Sequence, residues 1–355
     1  MKKNVNNSIW YKYEHLGRVS TIEHTYLAAV DIGGTKMTVS LANKEGFIIK
    51  VYRHVQLTGN NTTIPEQVDY IINYMCKKAK IKKDEIGALG IGSCGPFNKD
   101  RGYLVLVAPN LCGGLVKRRE IIPNDWTGIP LEQVLSQIYS NLTIDNDAIT
   151  AVMAERLFGA GRGEDDLVYI TWSTGIGSGA FVDGRLIKGK NGNAPHIGHI
   201  YLVEDGPQCG CGNFGDMESL CSGEAIARDY GGGATTEMVF LAFNNDDPKA
   251  KKVITKATKN FARGLVSINA ILDTKVFIIG GSVFMNNIGI LLPMVKYEFY
   301  RSFPALSDNV EFRPSTLDKY LVDLGALSLV MPEEWIEEWQ KKRPWEYAPE
   351  AIVLE

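Results

Sequence analysis

The segment Leu27-Ala-Ala-Val-Asp31-Ile-Gly33-Gly34-Thr35-Lys36-Met-Thr-Val-Ser-Leu-Ala-Asn43 constrains the fold more than any other part of the chain. Apolar and β-branched residues flank a paired glycine, which predicts two strands joined by a tight turn with a polar tip. Glycines free the backbone amides from Cβ crowding, so the turn can approach phosphate oxygens while Asp31 holds Mg²⁺ through water. A plain hairpin uses the same residues, and both readings stand on this segment alone. Further strands are predicted at Ile86 to Ile91, Thr143-Ile144, Leu167 to Thr171 and the buried Val276 to Ile279. Helical spacing marks Ile64 to Lys80, Ala148 to Gly159 and Phe261 to Leu272, with a break at Gly231-Gly232-Gly233. The result is a mixed α/β chain. Pro332 to Glu355, rich in Trp, Glu and Lys, is expected to be a terminal embellishment.

With 355 residues, 45% of them hydrophobic and 22% charged, the chain is long enough for two domains of ordinary size. Its formal net charge of -3 gives no overall attraction to nucleic acid or an anionic membrane. No apolar run of bilayer length is present, and the start, with Trp10, Tyr11 and Tyr13, lacks the apolar stretch of a secretory signal. A cytoplasmic protein with small-molecule partners is the expectation. Six cysteines (Cys76, Cys94, Cys112, Cys209, Cys211, Cys221) are too sparse for a disulfide scaffold. The Cys209-x-Cys211 pair suggests reduced thiols with a metal role.

Three further glycine-rich segments carry chemistry. Thr171 to Gly179 is a strand end running into a Gly/Ser/Thr loop that can cradle a second face of a triphosphate. Its spacing is G-x-G-x-G, which argues against a dinucleotide-binding fingerprint. Gly184-Arg-Leu-Ile-Lys188-Gly189-Lys190-Asn191 almost spells a P-loop, but Asn191 stands where a hydroxyl must reach Mg²⁺, so the stretch is assigned to a turn and loop. Ile278 to Val283 is a buried strand ending in Gly280-Gly281, where a flat adenine can lie against backbone.

Taken in order, these segments resemble the ROK family of sugar kinases from about residue 27 to residue 331. The resemblance is carried by Asp31 to Lys36, Gly95-Pro96, Gly102, Pro109-Asn110-Leu111, Asp145-Asn146-Asp147-Ala148, Glu155 and Phe158-Gly159-Ala160. It continues through Ser173 to Gly179, Gly198-His199, Cys209-Gly-Cys211-Gly212, Glu218, Gly280-Gly281 and Gly325-Ala326. It implies an actin-like ATPase (ribonuclease H-like) α/β fold, with a small domain over 1–145, a larger one over 146–355 and an active-site cleft between them. ATP and Mg²⁺ are then expected on Asp31, Gly33, Gly34, Thr35, Lys36, Thr174, Gly175, Gly280 and Gly281. Asp147 becomes the general base that accepts the proton of the attacking hydroxyl. Asn110, Asn146, Asp147, His196, His199 and Glu218 are expected to bind the sugar. From spacing alone, Asp145, Asn146 and Asp147 also suit a helix N-cap, and Asn110 a turn. A homo-oligomer, dimer or tetramer, is a further implication.

Two positions depart from the family pattern. His196 stands where family members carry Glu, so a carboxylate that accepts from two hydroxyls is replaced by an imidazole with one donor and one acceptor. Plain glucose is thereby less secure, and an amino sugar of the kanosamine or N-acetylhexosamine type, an epimer or another polyol stays open. The family zinc site uses the His of Gly-His and three cysteines, whereas the last position here is Asp216. His199, Cys209, Cys211 and Asp216 still form an acceptable tetrahedral set for a structural Zn²⁺, with Cys221 a less suitable fourth ligand. A DNA-binding repressor is disfavoured, because the segment before Asp31 leaves too little chain for a winged-helix module. A non-catalytic sugar sensor is disfavoured by the retained Asp147 and phosphate loops.

Overall fold

The computed structural model describes residues 26–115 and 122–355; the amino-terminal segment with Trp10, Tyr11 and Tyr13 lies outside the described residues. In chain order the strands are β1 (Tyr26–Ile32), β2 (Lys36–Asn43), β3 (Gly46–His54), β4 (Ile86–Ser93), β5 (Phe97–Asp100), β6 (Tyr103–Leu106) and β7 (Leu142–Asn146). They continue with β8 (Leu167–Trp172), β9 (Ile176–Val182), β10 (Arg185–Leu186), β11 (Val276–Gly280), β12 (Glu311–Pro314) and β13 (Ile352–Leu354). The chain forms two compact units. One holds the described residues up to Phe158 together with Lys188–Ala194 and Lys319–Glu355, and the other holds Gly159–Ile187 and Pro195–Asp318.

The first unit is built on a sheet of order β13-β3-β2-β1-β4-β7. β1 and β2 pair antiparallel around the Gly33-Gly34 turn, with Asp31 opposite Thr38, and β4 and β7 add parallel beyond β1. Helix Thr63–Ala79 buries Ile64, Val68, Ile71, Ile72 and Met75, the helical spacing seen in the sequence, and ends with Lys80 in the left-handed region (φ 58). Helix Asp147–Phe158 is buried along nearly its whole length, and helix Leu321–Ser328 packs on it. The approach needs glycine: a Cβ on Gly325 would lie 2.9 Å from the carbonyl oxygen of Thr150. Because these two helices pack together, Asp147–Phe158 stays with the first unit. The contacts therefore divide the chain after Phe158, and again at three later crossings, in place of the single cut after residue 145 anticipated from the sequence.

The carboxy-terminal stretch is part of this unit, not an embellishment. Helix Glu333–Lys342 buries Trp335, Ile336 and Trp339, whose ring meets Phe47 edge-on at 5.2 Å. Trp345 is 2% exposed and packs on Phe158 at 5.3 Å, and β13 then pairs parallel with β3. Charged residues on the outer face of the helix hide this buried stripe from a composition-based reading.

The second unit repeats the same plan. Its sheet has the order β10-β9-β8-β11-β12, with β8 and β9 antiparallel around a glycine turn and β11 and β12 adding parallel beyond β8. Helix Pro248–Leu272 begins well before the expected Phe261, because Asp247 caps it by accepting from the Ala250 amide at 2.7 Å and proline suits its first turn. Gly231, Gly232 and Gly233 all have positive φ and separate helices Gly223–Tyr230 and Thr236–Asn244. Among the described residues no helix is long and apolar enough to cross a membrane.

Candidate active site

In the first unit, the ends of β1, β4 and β7 present their side chains in sequence order. Asp31 is the penultimate residue of β1, and the Gly33 amide donates to the Lys36 carbonyl at 2.8 Å, which folds the Gly33-Gly34 turn and leaves Thr35 and Lys36 exposed. Asn110 lies over this turn, since a Cβ on Gly34 would meet its Nδ2 at 2.5 Å; Cys94 donates weakly to Asn110 Oδ1 at 3.7 Å.

At the end of β7, Asn146 performs the capping role that its spacing allowed. Its Oδ1 accepts from the Ala148 amide at 3.0 Å and its Nδ2 donates to the Ser93 carbonyl at 3.4 Å. Asp147 is the first helical residue; its Oδ1 also accepts from Ala148, at 2.7 Å, and its Oδ2 has no hydrogen-bond partner among the described residues. Asp147 is exposed, yet the protein packed around it limits solvation of its charge and pushes the carboxyl up to about 6. Asp31 is pushed further, to about 8, first by burial and then by the negative charges of Asp147 and Asp323. Asp323 is itself held by Ser40 and Lys50, each at 2.5 Å. A site that gathers carboxylates with so little to neutralise Asp31 suits a divalent cation.

In the second unit, the β8–β9 turn is fixed by the Ser173 amide donating to Gly175 O at 3.0 Å. Glu218 reaches it: Oε2 accepts from the Ile176 amide at 2.8 Å, and a Cβ on Gly175 would stand 2.6 Å from the same oxygen. Its other oxygen accepts from Cys209 Sγ at 3.5 Å. Glu218 thus ties the phosphate-type turn to the cysteine loop, a contact that the sequence did not indicate. Thr174 is exposed in the same turn, and its carbonyl accepts from the Glu224 amide at 3.3 Å. Gly280 ends β11, and Gly281 (φ 86) passes so close to Trp172 that a Cβ would lie 2.5 Å from its carbonyl oxygen. Ser282 then pairs with Ser173 at 3.1 Å between hydroxyls.

The cysteine loop gathers the four residues expected to hold zinc. One donor atom from each of His199, Cys209, Cys211 and Asp216 lies within 4.8 Å of the others. His199 Nδ1 stands 3.2 Å from Asp216 Oδ2, and Cys211 Sγ stands 3.5 Å from the same oxygen. Asp216 has a second task, because its Oδ1 caps helix Met217–Cys221 by accepting from the Ser219 amide at 2.8 Å. Cys221 is fully buried and donates to the Met217 carbonyl at 2.9 Å, away from the cluster. The donor set, two sulfurs, an imidazole and a carboxylate, fits tetrahedral Zn²⁺. His196 stacks on His199 with ring centres 5.7 Å apart; its side chain reaches the surface, yet the protein packed around it and then the neighbouring imidazole lower its pKa.

Set beside known proteins, this chain matches the sequence profile of the ROK family over residues 27–330. The chain belongs to the ROK family. Over 294 residues it is 31% identical to a glucokinase of Aeropyrum pernix, covering 76% of this chain and 86% of that protein. It is 30% identical over 259 residues to an N-acetylmannosamine kinase of Salmonella newport, with coverages of 72% and 82%. A crystal structure of a ROK glucokinase from Streptomyces griseus, in complex with glucose and AMPPNP, superposes with a TM-score of 0.63 at 25% identity, covering 86% of this chain and 98% of that one. The two repeated sheets are those of the actin-like ATPase fold.

Proposed function

We propose that the protein transfers the γ-phosphate of ATP to a hydroxyl of a hexose, with Asp147 as the general base. The observation that carries this reading is the Asp147 carboxylate, exposed at a helix start with Oδ2 unengaged while Asn146 takes over the cap. A carboxylate in that state can accept the hydroxyl proton as the oxygen attacks phosphorus. In the first unit Asp31 supplies the acidic group for Mg²⁺ and the Gly33-Gly34 turn offers the Gly34 amide to a phosphate; in the second unit the Thr174-Gly175 turn offers amides of the same kind. Mg²⁺, when bound, would neutralise charge on the phosphates. Gly280-Gly281 offers backbone for the adenosine.

His199, Cys209, Cys211 and Asp216 would hold Zn²⁺ as a closed structural site that fixes the loop bearing His196. Asn110 of the first unit, and His196 and the second ring nitrogen of His199 in the second, are the proposed partners of sugar hydroxyls. Glu218 acts on the loop through Ile176, and both of its oxygens are engaged within the protein, by the Ile176 amide and Cys209 Sγ. A cytoplasmic homo-oligomer completes the proposal.

A second reading, an N-acetylhexosamine kinase, is favoured by His196, whose imidazole can offer a donor where a carboxylate only accepts, and by the N-acetylmannosamine kinase among the relatives. ADP release with Mg-ATP against glucose, mannose, fructose, N-acetylmannosamine, N-acetylglucosamine, glucosamine and kanosamine separates the two. Turnover of a neutral hexose alone supports the first reading, turnover of an N-acetylated sugar alone the second, and turnover of glucosamine or kanosamine alone would overturn both in favour of a free amino sugar. Sugar binding without ADP release would favour a sensor.

A further inference from the structure

The stretch that nearly spells a P-loop has another use. The chain leaves the second unit after Ile187, belongs to the first unit over Lys188–Ala194, and re-enters the second at Pro195. Within the first unit this short segment is tied down by side chains. Lys188 Nζ donates to Asp145 Oδ2 at 2.6 Å; Asp145 is 2% exposed and the lysine side chain 27%. Asn193 pairs with the backbone of Phe97, accepting from its amide at 2.8 Å and donating to its carbonyl at 2.7 Å, as a neighbouring strand would. The Ala194 amide donates to the Lys188 carbonyl at 3.0 Å and closes the loop. At Gly192 (φ +77) the backbone passes over Asp145, with a Cβ position 3.9 Å from its Oδ1.

Both ends of this loop lead to the candidate chemistry. Asp145 is followed directly by Asn146, which caps the helix, and Asp147. Ala194 is followed directly by Pro195 and His196. In the second unit that exit is fixed by Ser178, whose hydroxyl donates to the Pro195 carbonyl at 2.6 Å and accepts from the Ile197 amide at 3.3 Å. A buried carboxylate that loses its cation is costly, so the Lys188 pair holds the β7 end in one place. Asn193 does the same for the exit toward His196, because its two bonds are satisfied only in one register.

We propose that Lys188 and Asn193 are positioning residues: through the Lys188–Ala194 strap they set the Asp145-Asn146-Asp147 strand end and the His196 loop, and so control sugar affinity without touching sugar. The proposal rests on the sugar-kinase reading above, and the experiment separates the two. Full-length Lys188→Met, Lys188→Arg, Asn193→Ala and wild type are compared by steady-state kinetics with Mg-ATP and either glucose or N-acetylmannosamine, by thermal melting, and by hydrogen exchange of the sugar-free protein. Lys188→Met and Asn193→Ala should raise the sugar KM about tenfold or more, as expected when one partner of a buried polar pair is removed. The KM for Mg-ATP should stay within about twofold and the fold should remain intact, while Lys188→Arg, which keeps the charge, restores most of the sugar affinity. Amides of residues 196–200 should exchange about tenfold faster in Asn193→Ala.

Unchanged sugar KM in both variants overturns the proposal, as does a parallel rise of both KM values with a collapse in melting temperature, which marks a purely structural role. If wild type phosphorylates neither sugar, the kinase reading fails for those substrates and the exchange arm decides the strap. Faster exchange at 196–200 with the rest of the protein unaltered supports it, and unaltered exchange there overturns it.

Discussion

The pKa of Asp147 sets a measurable pH dependence. A general base works in its ionised form, and protein crowding raises this carboxyl to about 6. Because the folded pKa is raised, activity is full above it and is lost as pH falls through it. With a single ionisation at about 6, roughly nine-tenths of the enzyme is active at pH 7, half at pH 6 and about one-tenth at pH 5. The limiting slope of log kcat/KM against pH is therefore about 1 on the acid side, where an ordinary aspartate of pKa about 3.9 would leave the rate flat down to pH 5. The assay is initial-rate ADP release at subsaturating Mg-ATP and subsaturating sugar, from pH 5 to 8, where the rate reports groups on the free enzyme. Asp147→Asn keeps the helix start and should reduce kcat by about 10²–10⁴ with sugar affinity nearly intact. It should also remove the acid limb from the residual rate. A wild-type profile flat to pH 5, or an Asp147→Asn enzyme with ordinary turnover, refutes the assignment.

Three further outcomes follow from the structure. Gly175→Ala places a Cβ 2.6 Å from Glu218 Oε2 and should break its bond to the Ile176 amide. A loss of about 1.5–3 kcal/mol, near 10- to 150-fold in kcat/KM for Mg-ATP, is expected, and an unchanged value contradicts the phosphate role of this turn. Asp216→Asn keeps the cap on Ser219 but removes the anionic ligand, so zinc content measured by elemental analysis should fall while the melting temperature of the chelator-treated protein barely changes. Equal zinc in variant and wild type excludes Asp216 as a ligand. Trp345→Ala empties a site that is 2% exposed against Phe158 and should cost about 3–5 kcal/mol in denaturant unfolding. A cost below about 1 kcal/mol would mean that the carboxy-terminal segment is not part of the core.

What the sequence made legible were features whose cause is local. The β1–β2 turn follows from Gly33-Gly34 between β-branched runs, and the break at Gly231 to Gly233 from three residues that favour positive φ. The zinc-type set followed from the family likeness, and the structure gathers all four donors. What stayed hidden depends on partners far apart in the chain. Lys188 and Asp145 are separated by 43 positions, and Ser40 and Asp323 by 283, distances at which spacing patterns carry no signal. Glu218 was read from the likeness as a sugar ligand, and only the geometry revealed its bond to Ile176. The place of Trp339 and Trp345 was missed because a short amphipathic helix among many charges shows its buried stripe only when the surface it covers is known.

The first unit is assembled from three separate stretches of chain, and its sheet closes with β13, beside β3. During synthesis, β3 emerges early and keeps an open edge while the whole of the second unit is made. From His54 to Ile352, at about 5–20 residues per second, the wait for β13 lasts on the order of 15–60 seconds. An unpaired strand edge is a template for association with other chains, so the nascent protein is most vulnerable to aggregation in that interval. A ribosome that stalls before residue 352 would release a chain whose second unit can be complete but whose first sheet still lacks its last strand.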